Sequence, residues 1–214
     1  MLEGVVLLFA FLAVATLVWF SGLWGGFLSL FNLILAALFA TAFFEPIADQ
    51  IEYAAGQTSM EFTYVCDFAA IWVVFVGAAV LARSLTDSFS GVKLKFDFVT
   101  ELVGRSLVAL LAGAVFVCFT HFTLLVAPVQ PSSSLSSTNM MAPHQIWMGL
   151  TKGLSQGSLA ESSESPLAQP YRSEHRLIQG DLDIRAFDPQ GIFQAKYAER
   201  RQRFSQQEVT RVSR

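Results

Sequence analysis

Over its first 127 residues the chain repeats one pattern, a long apolar run closed by a short polar break, and after Pro128 the pattern stops. Residues 5–20 read VVLLFAFLAVATLVWF, without a charge. The stretch 21–44, SGLWGGFLSLFNLILAALFATAFF, is also uncharged, and beyond its opening glycines only Ser29, Asn32 and Thr41 are polar. A third run covers 62–82 and a fourth 102–127. A helix needs roughly 20 such residues to cross the ~30 Å hydrocarbon core of a bilayer. Within that core every backbone N–H and C=O must be satisfied inside the segment, which selects helix. The pattern predicts an all-α, multi-pass membrane protein with transmembrane helices at about 5–20, 25–44, 62–82 and 102–127, together forming a domain over 1–127.

The breaks set the connections. Gly22, Gly25 and Gly26 open the second run, and Gly22 and Gly26 have the small-xxx-small spacing of packed membrane helices. They are read as a helix-packing face, with a flexible turn as the alternative; Ala109 and Gly113 repeat the spacing in the fourth span. Helix two is expected to end at Glu45–Pro46, because proline lacks the N–H that continues the ladder. Pro46 then opens a short interfacial or connecting helix closed by Gly56. Val92, Leu94, Phe96 and Phe98 alternate with Lys93, Lys95 and Asp97, a period of two that suits an extended segment.

The remainder is polar. Residues 128–170 read as a disordered Ser/Pro-containing linker, apart from a short amphipathic piece around Ile146–Leu154. Residues 171–214 form a small polar segment, in which RLIQGDLDIRAFDP after Tyr171, with its short apolar alternation, reads as a strand or extended stretch. Asp188-Pro189 makes a helix start, and the helix runs to about 207 with Phe193 and Tyr197 one turn apart. Lys196, Arg200, Arg201 and Arg203 make it basic, which reads as a solvated face before it reads as a binder of anionic lipid or nucleic acid.

Composition adds little beyond confirming the membrane class: 53% of the 214 residues are hydrophobic and 14% charged. Distribution of charge matters more than the net −3. The segment Glu45–Asp67 holds five acids and no Lys or Arg, whereas Arg83–Arg105 holds Arg83, Lys93, Lys95 and Arg105. Cytoplasmic connections are enriched in Lys and Arg. The loop 83–105 is therefore expected in the cytoplasm and the tail outside. Two cysteines, Cys66 and Cys118, are too few and too separated for a disulfide framework or a zinc site.

Catalytic motifs are missing: no phosphate-cradling GxxxxGK[ST], no GxGxxG, no HExxH and no GxSxG. Ser106 and His121 stand fifteen residues apart on one helix, roughly 22 Å by helix rise, and cannot form a nucleophile–base pair. Neither catalytic residues nor cofactor or metal ligands are expected, and the chain reads as a non-enzyme. Asn32 and His121 are the polar positions at membrane depth. His121 is read as a neutral imidazole bonded to a neighbouring helix, the alternative being a proton-relay or ligand histidine. Asp67 reads as a solvated carboxylate at the mouth of the third span.

These features together resemble the CvpA family, the colicin V production proteins of bacterial inner membranes. The resemblance rests on Glu3 before the first helix, the turn SGLWGGFLSLF, a third helix ending in Arg83, and Asp97 leading into a fourth helix with Gly104 and Gly113. It covers residues 1–127. The family commonly has an Arg before the glycine of the first turn, where Gly25 stands, and an Asp-Arg pair at helix four, where Arg105 follows Gly104 instead. The resemblance implies an inner-membrane protein that supports toxin production or export, or envelope homeostasis, through protein partners or as a homo-oligomer. Neither nucleic acid nor a small-molecule substrate is expected. A channel or transporter subunit, with Asn32 and His121 on one path, is the second reading. A membrane anchor for a tail that binds a partner is the third.

Overall fold

The computed structural model describes residues 2–56, 60–89, 97–127, 139, 141–156, 193–199 and 202. Four long helices carry the apolar runs: α1 (Leu2–Phe20), α2 (Gly22–Ala55), α3 (Met60–Phe89) and α4 (Phe98–Val126). All four are long and apolar enough to cross a membrane. A shorter helix, α5 (Pro143–Gln156), and a helical segment at 193–199, here α6, complete an all-helical set among the described residues.

The helices pack as two antiparallel pairs, α1 on α4 and α2 on α3, joined where α2 lies on α4. Lipid supplies no hydrophobic drive between helices, so contact depends on close van der Waals approach at small residues. On α2 the buried face is Ala36, Ala37, Ala40 and Ala48, a run of small side chains at helical spacing. Phe44 fills the gap between Ala40 and Ala48, buried against Ile71, Phe122 and their neighbours in the main core cluster. On α4 the matching face is Ala109, Ala112 and Gly113. Leu8, Phe9, Leu17, Val73, Val80, Leu107 and Leu111 are exposed, as lipid-facing side chains must be.

The opening glycines divide their labour. Gly22 is the turn itself: α1 ends at Phe20, α2 begins at Gly22 with only Ser21 between them, and Gly22 has φ +76°, a conformation that L side chains rarely adopt. Gly26 is the packing residue, since a Cβ there would stand 3.3 Å from Val18 Cγ1 and 3.4 Å from Val108 Cγ1. Gly25 would meet only its own neighbour Ser21, at 3.3 Å. Ala109 is buried as expected, and Gly113 is the tightest contact of the set: a Cβ there would lie 2.8 Å from the Phe11 ring and 3.2 Å from its carbonyl oxygen.

Three boundaries differ from the sequence reading. The third helix does not end at Arg83, since α3 continues to Phe89. Helix two does not end at Pro46; α2 runs unbroken through it to Ala55, about 51 Å by helix rise. Proline removes a single N–H from the ladder, and packed membrane helices tolerate this where a neighbour holds the continuation. Here α3 does so: Ala48 is fully buried and its carbonyl accepts the Cys66 thiol at 3.7 Å. Gly56 closes the helix as expected, in the left-handed conformation. The alternating segment 92–98 falls mostly outside the described residues, but Phe98 already belongs to α4, which starts four residues before Leu102.

Within the linker assigned to 128–170, the amphipathic piece expected around Ile146–Leu154 is a helix, α5, longer than expected and packed on the bundle through His144, Trp147 and Thr151. It begins on Pro143, whose missing N–H would be unpaired in a first turn anyway. Of the basic helix expected at about 189–207, residues 193–199 are helical, and Phe193 and Tyr197 are buried one turn apart. The expected extended stretch from Tyr171 lies outside the described residues.

Gly113→Ala should destabilise the bundle by about 1–3 kcal/mol, the usual range for overpacking, because the Phe11 carbonyl cannot swing aside. Gly77→Ala, where a Cβ meets nothing within 4 Å, is the matched control. Thermal unfolding in detergent checks the pair, with a lower Tm expected for the first variant alone.

Candidate functional site

The register of α1 on α4 is set by a ladder of contacts. Trp19 donates its indole N–H to Ser106 Oγ at 3.2 Å, Phe11 covers Gly113, and Glu3 Oε1 stands 2.9 Å from His121 Nε2. The antiparallel arrangement thus carries the acid of the first turn of α1 to the histidine near the end of α4. His121 is 2% exposed, and the Glu3 side chain 23%.

α5 supplies the third member. Its buried positions His144, Trp147 and Thr151 recur at helical spacing and face the bundle. His144 is fully buried, and its Nδ1 lies 3.0 Å from Nδ1 of His121, with ring centroids 4.9 Å apart. His121 therefore reaches Glu3 of α1 through Nε2 and His144 of α5 through Nδ1. A buried charged group at lipid depth needs such partners, and groups of this kind mark functional positions.

The surrounding contacts hold the tail helices down. Trp147 donates to Thr41 Oγ1 at 3.0 Å and packs edge-on to Phe119, while Thr41 itself donates to the Ala37 carbonyl. On α6, Phe193 stacks on Phe122 with centroids 5.2 Å apart and meets Phe44 edge-on. Glu45 accepts from Lys196 at 3.1 Å and from the Tyr197 hydroxyl at 3.0 Å. Gln145 of α5 donates to Gln194 of α6 at 2.7 Å.

The opposite end of the bundle has its own polar set. Glu101 accepts the Leu23 N–H at 2.8 Å and so caps the start of α2. The Arg105 guanidinium lies 3.9 Å over the Trp19 ring. Asn32 donates to Thr86 at 2.9 Å, and Arg83 reaches Asp87 and Ser29. Arg105 and His121, sixteen residues apart on α4, are separated by about 24 Å along the helix.

Asn32 and His121, both buried as expected, are therefore not brought together. His121 does bond to a neighbouring helix, but its partners are an acid and a second histidine, which the sequence reading had placed in the leading segment and the linker. The signal for Glu3 was topological: with four spans, the first residues and the end of α4 share one face. Asp67 is buried, at 5% exposure, and not solvated as expected. Among the described residues no group of three or more His, Cys, Asp or Glu is arranged to hold a metal ion. Two nitrogens sharing a tetrahedral zinc at 2.0–2.1 Å would stand about 3.3 Å apart, wider than the His–His contact.

Trp147→Ala should release α5 from the bundle, since truncating a buried Trp costs about 3–5 kcal/mol. The check is a cysteine placed at Thr151 in a Cys66/Cys118-free background. It should resist a soluble maleimide in the parent and react readily in the Trp147→Ala variant. Comparison of the chain with family models, with curated proteins and with solved structures gives no match.

Proposed function

We propose that this is a non-enzymatic integral membrane protein of the CvpA kind, acting in the bacterial inner membrane through protein partners to support toxin production or export, or envelope homeostasis. The observation that carries the reading is the use made of four pairs of polar groups in the bundle, which join one helix to another. Asn32–Thr86 ties α2 to α3, Trp19–Ser106 and Glu3–His121 tie α1 to α4, and Trp147–Thr41 ties α5 to α2. Interhelical hydrogen bonds of this kind are glue, and a bundle held by them suits a scaffold for partners.

The other readings receive less support. A transport path would put Asn32 and His121 on one cavity, yet their partners differ. An anchor with an independently binding tail fits poorly with Trp147 and Tyr197, each 2% exposed against the bundle. Lys196, one of the basic residues of the tail helix, is engaged by Glu45. α5 also exposes Ile146, Leu150 and Leu154 along one side, a face suited to the membrane interface or to a partner.

For orientation we infer that the basic connection, 83–105, is cytoplasmic and that the end bearing Glu3, the α2–α3 connection and the tail is outside. Single cysteines at Tyr53 and Met141, both exposed, should label with an impermeant reagent in intact cells, and one at Ser88 should not. The reverse pattern would overturn the assignment.

Deleting the gene should alter toxin secretion or envelope-stress sensitivity, and Asn32→Ala at normal expression should complement fully. Loss of the Asn32–Thr86 bond costs only about 0.6–2 kcal/mol, so a null phenotype with normal protein level would favour the channel reading instead.

A further inference from the structure

The contacts of α5 fix its level on the bundle. His144 reaches His121, and Trp147 reaches Phe119 and Thr41. His121 and Phe119 lie five and seven residues before Val126, where α4 ends. α5 therefore meets the flank of α4 about 8–10 Å short of its end. Lipid-facing side chains reach the same level on two other helices. On α1, Val5 and Val6 are exposed directly after Glu3, the partner of His121. On α2, Phe39 and Phe43 are exposed on either side of Thr41 in the chain.

Around its own axis α5 divides into four sides. His144, Trp147 and Thr151 are buried toward the bundle, whereas Ile146, Leu150 and Leu154, each about one turn after the last, are exposed. At 3.6 residues per turn these three form a strip about 80° wide, centred about 90° around the helix from the buried side. Gln145 and Lys152 stand about 140–160° around from Leu150, and Gln145 donates to Gln194 of α6 on that side. The side turned away from the bundle carries Gly149 and Gly153, where a Cβ would meet nothing within 4 Å. A helix lying along the flank of a bundle at the membrane surface needs this division into protein, lipid, water and outer sides.

We propose that α5 is an interfacial helix whose Ile146, Leu150 and Leu154 edge is inserted among the acyl chains of the leaflet at the Glu3 end of the bundle. Area and position both select lipid as the occupant. Three side chains on one narrow strip fall far short of the ~800 Å² that each partner buries in a stable protein interface. They suffice for an interfacial helix, which seats its apolar side about 5–10 Å into the boundary of headgroups and acyl chains. The first part of the tail is then held from two sides, by polar and ring contacts to the bundle and by apolar burial in the leaflet. This goes beyond the partner-dependent role proposed above. It rests neither on that role nor on which side of the membrane the tail occupies.

The test is spin labelling of single cysteines in the full-length, Cys66/Cys118-free protein, in nanodiscs of phosphatidylcholine and phosphatidylglycerol. Molecular oxygen concentrates among acyl chains and a nickel chelate stays in water, so their relative collision rates with a nitroxide report its surroundings. Val73→Cys, exposed midway along α3, is the lipid reference, and Tyr53→Cys, exposed on α2 beyond Glu45, is the water reference. A label at Leu150→Cys should favour oxygen over the chelate, as at Val73→Cys and opposite to Tyr53→Cys. Leu154→Cys should give the same result and decides the matter if Leu150→Cys fails to fold. A label met mainly by the chelate would overturn the proposal by placing the strip in water. Shielding from both reagents would equally overturn it, by placing a protein partner or a second copy of the chain over the strip.

Discussion

Closeness of α1 to α4 is the constraint on which the rest of this bundle depends. Lipid tails are as apolar as leucine, so two membrane helices gain from contact only where their surfaces fit closely. Gly113 gives that fit, letting the Phe11 ring and carbonyl lie against the α4 backbone. Once Phe11 is seated there, helical rise carries Glu3 to the level of His121 and Trp19 to the level of Ser106. A shift of one turn, about 5.4 Å, would strand both a carboxylate and an imidazole away from their partners.

The two ends of the bundle then take different characters. At one end a single-residue turn, Glu101 capping α2 and Arg105 over Trp19 make a closed interfacial rim. At the other, the α2–α3 hairpin rises past α4 and gives α5 and α6 a surface on which to dock. Phe44, Phe119 and Phe122 line that surface, and Trp147, Phe193 and Tyr197 fill it. The tail helices are thereby an extension of the membrane core, and His144 sits at their seam.

Much of this was legible in the chain. Four long apolar runs, the first two without a charge, mark membrane helices, and the polar breaks set their order. Phe193 and Tyr197 stood one turn apart before either had a partner. What stayed hidden was hidden for physical reasons. The small face of α2, at Ala36, Ala37, Ala40 and Ala48, disappears in a run where every neighbour is also apolar. Pro46 signals a helix end unless a packed neighbour holds the helix together, and α3 is not visible from the local pattern. Asn32 and His121 were identified as polar at depth, but their partners lie 54 and 118 residues away on other helices, and no spacing rule reaches so far. His144 followed a Ser- and Pro-containing stretch that gave no reason to return it to the bundle.

The register of α1 on α4 can be measured by cross-linking in membranes. In a Cys66/Cys118-free background, Phe11→Cys paired with Gly113→Cys exchanges a ring for a thiol at the point of closest approach, and the two should form a disulfide on mild oxidation. Phe11→Cys paired with Gly104→Cys, nine residues along α4, should not. Equal cross-linking of both pairs, or of the second alone, would contradict the register and with it the pairing of Glu3 with His121.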